Sequence, residues 1–282
     1  MTPAMPLKSF GDEFCLTLIT DDPVLAANAD CGGVDRIGLD LERLGKADRQ
    51  SDLDTRQSKH KVADLAAVAR SLVRAKLFVR LNPINVNTAD EVDAVIHAGA
   101  DVLMLPFFRT ADEIETFVRL VGGRAGVTLL VETASAVVRI REILVVPGVH
   151  EIMIGLNDLR LELGVQNHFE VLASPVLDML ASEVRNARLA FSVGGVARPD
   201  DISLPVPPDL VLAQYPRLGA TGAWISRSFL RELPRDGNFR TAISAVRQRL
   251  TQWASASPAE LQHARRQLAD RAREIALRPP PR

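Results

Sequence analysis

The stretch Val127 to Gly164, VTLLVETASAVVRIREILVVPGVHEIMIGLNDLRLELG, decides how the rest of the chain is read. VTLLV is an apolar, β-branched run too short for a helix, and it closes on Glu132. Ala134 to Leu144 has helical spacing, with Val137, Ile140 and Leu144 on one stripe and Arg139 and Arg141 off it. His150 to Ile154 reads as a second strand that stops at Gly155 and delivers Asp158 just past its end. Two near-continuous apolar strands joined by a helix make a parallel βαβ unit with both strands buried. The carboxyl ends of neighbouring parallel strands lie about 5 Å apart, so Glu132 and Asp158 should converge. Such a pair suits a hard divalent cation, Mg²⁺ or Mn²⁺, which binds through one or two carboxylates plus waters and substrate oxygens. The competing reading makes each acid a helix cap, Glu132 for the helix near Thr133 and Asp158 for the next. Their equivalent places on neighbouring strands favour a site.

Composition limits the alternatives. A length of 282 residues accommodates one large α/β barrel or two ordinary domains. With 47% apolar and 24% charged residues the chain can bury a sizeable core. A net charge of −1 supplies no basic field for nucleic acid or an anionic membrane, and 5% aromatic residues offer little for base stacking. Cys15 and Cys31 sit in apolar segments without metal-ligand spacing, which predicts a reduced, cytoplasmic setting. No apolar run reaches the ~18 residues of a membrane span, and the first residues lack a signal-peptide pattern.

Taken in order, residues 1–12 read as a loose leader and FCLTLI (14–19) as the first strand. A short helix from Pro23 ends at Gly32-Gly33, and RIGLDL (36–41) is the second strand, with Asp40 and Glu42 at its end. Residues 43–60 form a long polar loop, of the kind that is usually functional or mobile. LFVRL carries Arg80, and capping boxes at Thr88/Glu91 and Thr110/Glu113 open the helices on either side of DVLML. After the central unit come a helix over 171–187, the strand AFSV, the turn Gly194-Gly195, a helix over 210–218 and the strand GAWI. Eight strands alternating with helices predict a (β/α)₈ barrel over residues 13–235. A doubly wound sheet is the competitor, but no GxGxxG follows the first strand and no GxxxxGK[ST] occurs. The active site of a barrel lies at the carboxyl ends of its strands, where Asp40, Glu42, Arg80, Pro106, Glu132 and Asp158 all fall. Residues 236–282 form a helical extension whose Leu261, Leu268 and Ile275 recur at heptad spacing. That stripe wants an apolar partner, its own barrel or, as the favoured reading, a neighbouring subunit of a homo-oligomer.

LDLE at 39–42, VRLNP at 79–83, MLP at 104–106, LVET at 130–133 and GLNDL at 155–159 together resemble the HpcH/HpaI aldolase and citrate lyase β-subunit family, over Phe14 to Arg227. The resemblance implies an oligomeric barrel that cleaves or forms carbon–carbon bonds next to a pyruvate, oxaloacetate or acyl-thioester carbonyl, with a divalent ion. It implies Glu132 and Asp158 as metal ligands and Arg80 as the group holding a substrate carboxylate or the developing enolate. It also implies that Gly155, Leu156 and Asn157 line a carboxylate pocket. Read from the residues themselves, Pro106-Phe107-Phe108 forms an apolar wall near the metal or simply cores the barrel mouth. The expected activity is that of a class II aldolase: a 2-oxo acid joined to, or released from, an aldehyde through a metal-stabilised enolate. Such an enolate needs a divalent ion and a fixed guanidinium, which stabilise negative charge as it develops, and arginine's planar fork suits a carboxylate. The alternative for Arg80 is an ion pair with an acid such as Glu42, and the two roles are compatible.

The chain departs from the family after LDLE. The aldolase branch has an acid–base histidine there and the citrate-lyase branch an acid, whereas this chain has Arg43. Asp40 and Glu42, at the carboxyl end of the second strand, are counted as catalytic candidates beside Arg80. Lys46, Arg49 and His60 are substitutes offered by the polar loop, against the plainer reading of a solvated loop with a surface histidine. His168 would line the mouth if the loop after Asp158 folded inward. Gly194 and Gly195, with Ser226-Arg227, permit close approach of a phosphate or carboxylate, or simply serve a tight turn. Two other activities stay open: a thioester lyase, which needs a groove for a coenzyme A or carrier arm, and a non-catalytic barrel that binds a metal and a small acid.

Overall fold

The computed structural model describes residues 8–44, 60–231, 233 and 238–277. Strands β1 (Cys15–Ile19), β2 (Arg36–Asp40), β3 (Lys76–Arg80), β4 (Val102–Leu105), β5 (Gly126–Val131), β6 (Glu151–Ile154), β7 (Ala190–Val196) and β8 (Gly222–Ile225) close in sequence order into one parallel barrel. The expected (β/α)₈ fold is what the chain forms.

Period-two alternation sorts the strand residues into two apolar cores. Leu39, Val79, Leu103, Leu129, Ile152 and Val193 face outward and pack under the helices in the main cluster. Phe78, Val102, Met104, Leu130 and Met153 face inward and form a second cluster with Ile19 and Trp224. Each such side chain contributes about 1.5–3 kcal/mol on burial. The inner cluster plugs the barrel, and polar side chains lie above and below it.

Several helices are shorter than their apolar spacing predicts, and proline accounts for two of the breaks. The helix expected over 171–187 divides into His168–Leu172 and Pro175–Asn186, with Ser174 capping the second and Pro175 at its start. The helix expected over 210–218 divides into Pro208–Leu212 and Gln214–Leu218, because Pro216 has no N–H for the Leu212 carbonyl. Ala134–Val138 and Ile140–Leu144 meet at Arg139, where ψ reaches 15° behind the β-branched pair Val137–Val138. The box at Thr110/Glu113 forms, whereas Asn87 rather than Thr88 caps the helix Thr88–His97. Thr88 Oγ1 instead accepts from the Asn85 N–H at 2.8 Å, and Glu91 takes the side-chain amides of Asn82 and Asn85.

The leader contains a helix, Phe10–Glu13, boxed by Ser9 and Asp12. Gly11 lets it lie against the helix Phe239–Ala254, since a Cβ there would fall 1.9 Å from the Arg247 carbonyl oxygen. The helix Pro258–Ala276 packs on its own barrel, with Leu268 of the heptad stripe buried and Leu261 and Ile275 half-buried. Ala264, Leu268 and Ala272 are buried against His168–Leu172, Pro208–Leu212 and Gln214–Leu218. Asn167 Nδ2 donates to the Ala272 carbonyl at 3.0 Å, and Arg265 Nε to that of Ala173 at 3.0 Å. Among the described residues no helix is long and apolar enough to cross a membrane.

Candidate active site

Asp40 and Arg80 are register partners at the carboxyl ends of β2 and β3, both facing the barrel axis. Their side chains form a bidentate pair, Nε to Oδ1 at 2.9 Å and Nη2 to Oδ2 at 2.6 Å. Nη1 of Arg80 lies 3.3 Å from Glu42 Oε2, and the guanidinium sits 5.0 Å over the Trp224 ring. All three charged residues are buried. Burial by itself pulls the arginine's pKa down, but the charges of Asp40 and Glu42, the Asp40 hydrogen bond and the charge of Glu132 outweigh it and raise the pKa above its ordinary value. The guanidinium is thus a permanent cation inside the barrel mouth, in the field of Glu132.

Glu132 leaves the end of β5 and is held on two sides. The Phe107 N–H donates to Oε1 at 3.0 Å, from a residue with φ of 51°. On the other side Gly155 gives it room, because a Cβ there would lie 2.7 Å from Oε2. Neither acid is a helix cap. Thr133 caps Ala134–Val138 through Oγ1, and Gly155 stands at the cap position of Leu156–Glu162 with no side-chain bond. Asp158 is buried in the first turn of that helix, at the same end of the barrel as Glu132.

Other expected residues have specific places. Leu156 is buried, Asn157 is exposed, and Leu156 Cδ1 comes close to Gly194, where a Cβ would lie 2.9 Å away. Gly194, at φ of 59°, and Gly195 are inside β7 rather than in a turn after it. They make a register shift opposite β8 in which Gly195 pairs with Trp224. Ser226 is used locally as a cap, its Oγ accepting from the Phe229 N–H. His60 is not a surface residue. Its Nδ1 accepts from the Asp40 N–H at 3.1 Å, its Nε2 is 3.6 Å from Asp21 Oδ1, and its side chain is 15% exposed. Arg43 is tied down by Asn82 Oδ1 on its N–H and by the His60 carbonyl on Nη2. His168 opens a short helix, and its ring is pushed down to a pKa of about 4, by burial first and the Arg160 charge second. Lys46 and Arg49 lie outside the described residues.

Sequence reasoning missed the positive φ of Phe107, which no motif announces in a bulky residue. It also missed Trp224 as the surface under Arg80, although GAWI places that ring on the axis by alternation. Among the described residues no group of three or more His, Cys, Asp and Glu side chains is disposed to hold a metal. Glu132 and Asp158 are two buried carboxylates at the same end of the barrel. That donor set suits an ion such as Mg²⁺, which keeps several waters.

The chain matches the family described as HpcH/HpaI aldolase/citrate lyase over residues 14–193. Similar solved structures include an HpcH/HpaI aldolase/citrate lyase family protein from Burkholderia cenocepacia, at 17% identity and a TM-score of 0.61, covering 86% of this chain and 95% of that one. The citrate lyase beta subunit from M. tuberculosis, complexed with oxaloacetate and magnesium, is 19% identical at a TM-score of 0.59, covering 86% and 98%. An HpcH/HpaI aldolase from Desulfitobacterium hafniense is 15% identical at 0.58, covering 76% and 86%. Identities this low carry the fold. Among the curated proteins none is similar enough in sequence to match.

Proposed function

The chain belongs to the HpcH/HpaI aldolase/citrate lyase family, and from that premise we propose that it is a divalent-metal-dependent carbon–carbon lyase acting on a 2-oxo acid through an enolate. One observation carries the reading: a buried guanidinium, fixed by Asp40 and Glu42, stands in the field of Glu132 at the carboxyl ends of the strands. Breaking or making a bond next to the carbonyl of a 2-oxo acid puts negative charge on that carbonyl oxygen. Fixed donors aimed at this oxygen stabilise the charge without having to reorganise.

The residues divide the work by position. Glu132 and Asp158 would hold the ion, Glu132 being oriented by the Phe107 N–H and fitted against Gly155. When bound, a divalent ion supplies Lewis acidity to the substrate carbonyl. Asp40 and Glu42 hold Arg80 in one orientation. Both terminal nitrogens of the guanidinium still keep a second N–H for substrate oxygens. The backbone from Gly155 to Asn157 supplies the remaining contacts to the substrate carboxylate. A related citrate lyase beta subunit is complexed with oxaloacetate and magnesium, which makes pyruvate or oxaloacetate and Mg²⁺ the first substrate and ion to try.

The test is proton exchange at C3 of pyruvate in D₂O, followed by NMR with and without Mg²⁺ or Mn²⁺. Metal-dependent exchange that vanishes in Arg80→Ala is the expected result. No exchange with any divalent ion would overturn the enolate reading and leave a thioester substrate or a binding role.

A further inference from the structure

We propose that His60 is a positioning residue: its imidazole holds Asp40, and through Asp40 the Arg80 guanidinium, in the orientation the reaction uses. The proposal rests on the enolate reading above and names what keeps its cation in place. Its basis is the point where strand pairing gives out. The ladder between β1 and β2 ends with the Thr20 N–H donating to the Gly38 carbonyl at 2.8 Å. In a continuing parallel ladder the Asp40 N–H would be the next donor toward β1. It donates instead to His60 Nδ1, at 3.1 Å. A ring nitrogen thus stands in for a strand carbonyl, and a buried backbone donor keeps a partner.

Asp40 is the residue through which that one bond spreads. Its Oδ1 accepts from Arg80 Nε at 2.9 Å and from the Glu42 N–H at 3.1 Å, and its Oδ2 from Arg80 Nη2 at 2.6 Å. The next residue joins in, since the Leu41 N–H donates to the Arg80 carbonyl at 2.8 Å. A shift of the Asp40 backbone would therefore carry the guanidinium with it. His60 is itself held. Arg43 Nη2 donates to the His60 carbonyl at 2.7 Å, and the Arg43 N–H donates to Asn82 Oδ1 at 2.8 Å, just past the end of β3. The residue that departs from the family after LDLE is thus the one that clamps His60. The geometry also fixes the tautomer. Because Nδ1 accepts, the ring proton lies on Nε2, which is 3.6 Å from Asp21 Oδ1. Nδ1 would have to give up the Asp40 N–H to take a proton, so its role is support rather than base catalysis.

The experiment compares His60→Asn with His60→Leu, two side chains of one shape of which only asparagine offers an acceptor at the Nδ1 position. Three quantities are read per folded molecule: C3 exchange of pyruvate with Mg²⁺, hydrogen exchange of the Asp40 amide, and the NMR signal of the Arg80 Nε–H. His60→Leu should lower C3 exchange by about tenfold, the scale of a buried donor left unsatisfied. It should also speed exchange of the Asp40 amide and displace the Arg80 signal. His60→Asn should stay within about threefold of wild type in both rates and keep that signal. A His60→Leu variant with wild-type rates, or a His60→Asn variant as impaired as His60→Leu, would overturn the assignment. If His60→Leu does not fold, Arg43→Met decides. It leaves the imidazole in place but frees its backbone, and should shift all three quantities in the same direction by a smaller amount; no shift would overturn the assignment. The Asp40 and Arg80 signals need no substrate. Wild type without C3 exchange would sink the enolate reading, whereas unaltered Asp40 and Arg80 signals in His60→Leu would sink the role of His60 alone.

Discussion

At the amino end of the barrel Arg36 of β2 reaches across the interior to Glu151 of β6, while at the carboxyl end Arg80 lies against Asp40 on the neighbouring strand. Both guanidinium pKa values are raised against the pull of burial by a facing acid. The surroundings differ. Glu151 is completed by neutral donors, the hydroxyls of Ser192 and Thr128, and Asp35, the weaker second acid in the field of Arg36, has its own partner in Arg247. Arg80 lies in the field of three carboxylates, Asp40, Glu42 and Glu132. A balanced pair closes the bottom of the barrel, and an arginine with several acids around it is an arrangement suited to further cationic or polar ligands. Barrel active sites occupy the carboxyl end, and the opposite end serves stability. The same chemical pair thus has different consequences at the two ends, and that difference can be tested.

The largest effect is expected from the acids of the upper end. Glu132→Gln and Asp158→Asn keep shape and volume while removing charge. Each should reduce metal-dependent C3 exchange by about a thousandfold, a loss of roughly 4 kcal/mol in stabilisation, with the thermal midpoint little changed. Unaltered exchange in either variant would remove that residue from the metal site. Next come single arginine deletions. Arg80→Met strips the guanidinium from two buried carboxylates, and Arg36→Met strips it from one. Each should cost about 3–5 kcal/mol in denaturant unfolding. Only Arg80→Met should lose exchange per folded molecule, and equal losses in both would erase the contrast between the ends.

A smaller effect should follow from Gly155→Ala. The new Cβ would sit 2.7 Å from Glu132 Oε2 and 2.9 Å from its Cβ. Glu132 must then shift, while the Phe107 N–H pulls its other oxygen the opposite way. We expect about a tenfold loss of exchange and about 1–3 kcal/mol of destabilisation from overpacking. Wild-type exchange would mean that Glu132 need not stand where the structure places it.

Much of the upper end was legible in the sequence because strands repeat every second residue. LFVR puts Phe78 and Arg80 on one face, and VTLLVE puts Leu130 and Glu132 on one face, so the alternation alone aims both charges at the axis. The proline breaks were equally open to view, since Pro175 and Pro216 lack the N–H a continuous helix needs. What stayed hidden depends on closure of the barrel or on unusual backbone. The Arg36–Glu151 contact joins strands that meet only across the interior. His60 reaches the Asp40 N–H across a separation of 20 positions, which no local pattern announces, so the sequence reads it as a surface histidine. The turn at Phe107, and with it the stacking of Arg109, has no signature because phenylalanine does not favour φ of 51°. Gly194-Gly195 reads as a turn, yet the same backbone freedom builds a bulge within β7.

The smallest expected effect is the most discriminating. Replacing a buried ion pair by apolar residues of similar volume is often neutral or stabilising by about 1–4 kcal/mol, because the desolvation of both charges disappears with their attraction. At the amino end the double substitution Arg36→Met with Glu151→Met removes both charges together. It leaves the Ser192 and Thr128 hydroxyls without their acceptor, at about 1 kcal/mol each. Stability should therefore move by no more than about 2 kcal/mol, and C3 exchange should stay within about twofold of wild type. The parallel swap at the carboxyl end, Asp40→Met with Arg80→Met, also removes a matched pair, but it leaves Glu42 behind and takes away the donors aimed at the substrate. Its exchange should fall to background even in a folded protein. If the amino-end double variant lost exchange as well, the charge inside the barrel would matter along its whole length, and the division between a closing end and a reacting end would have to be given up.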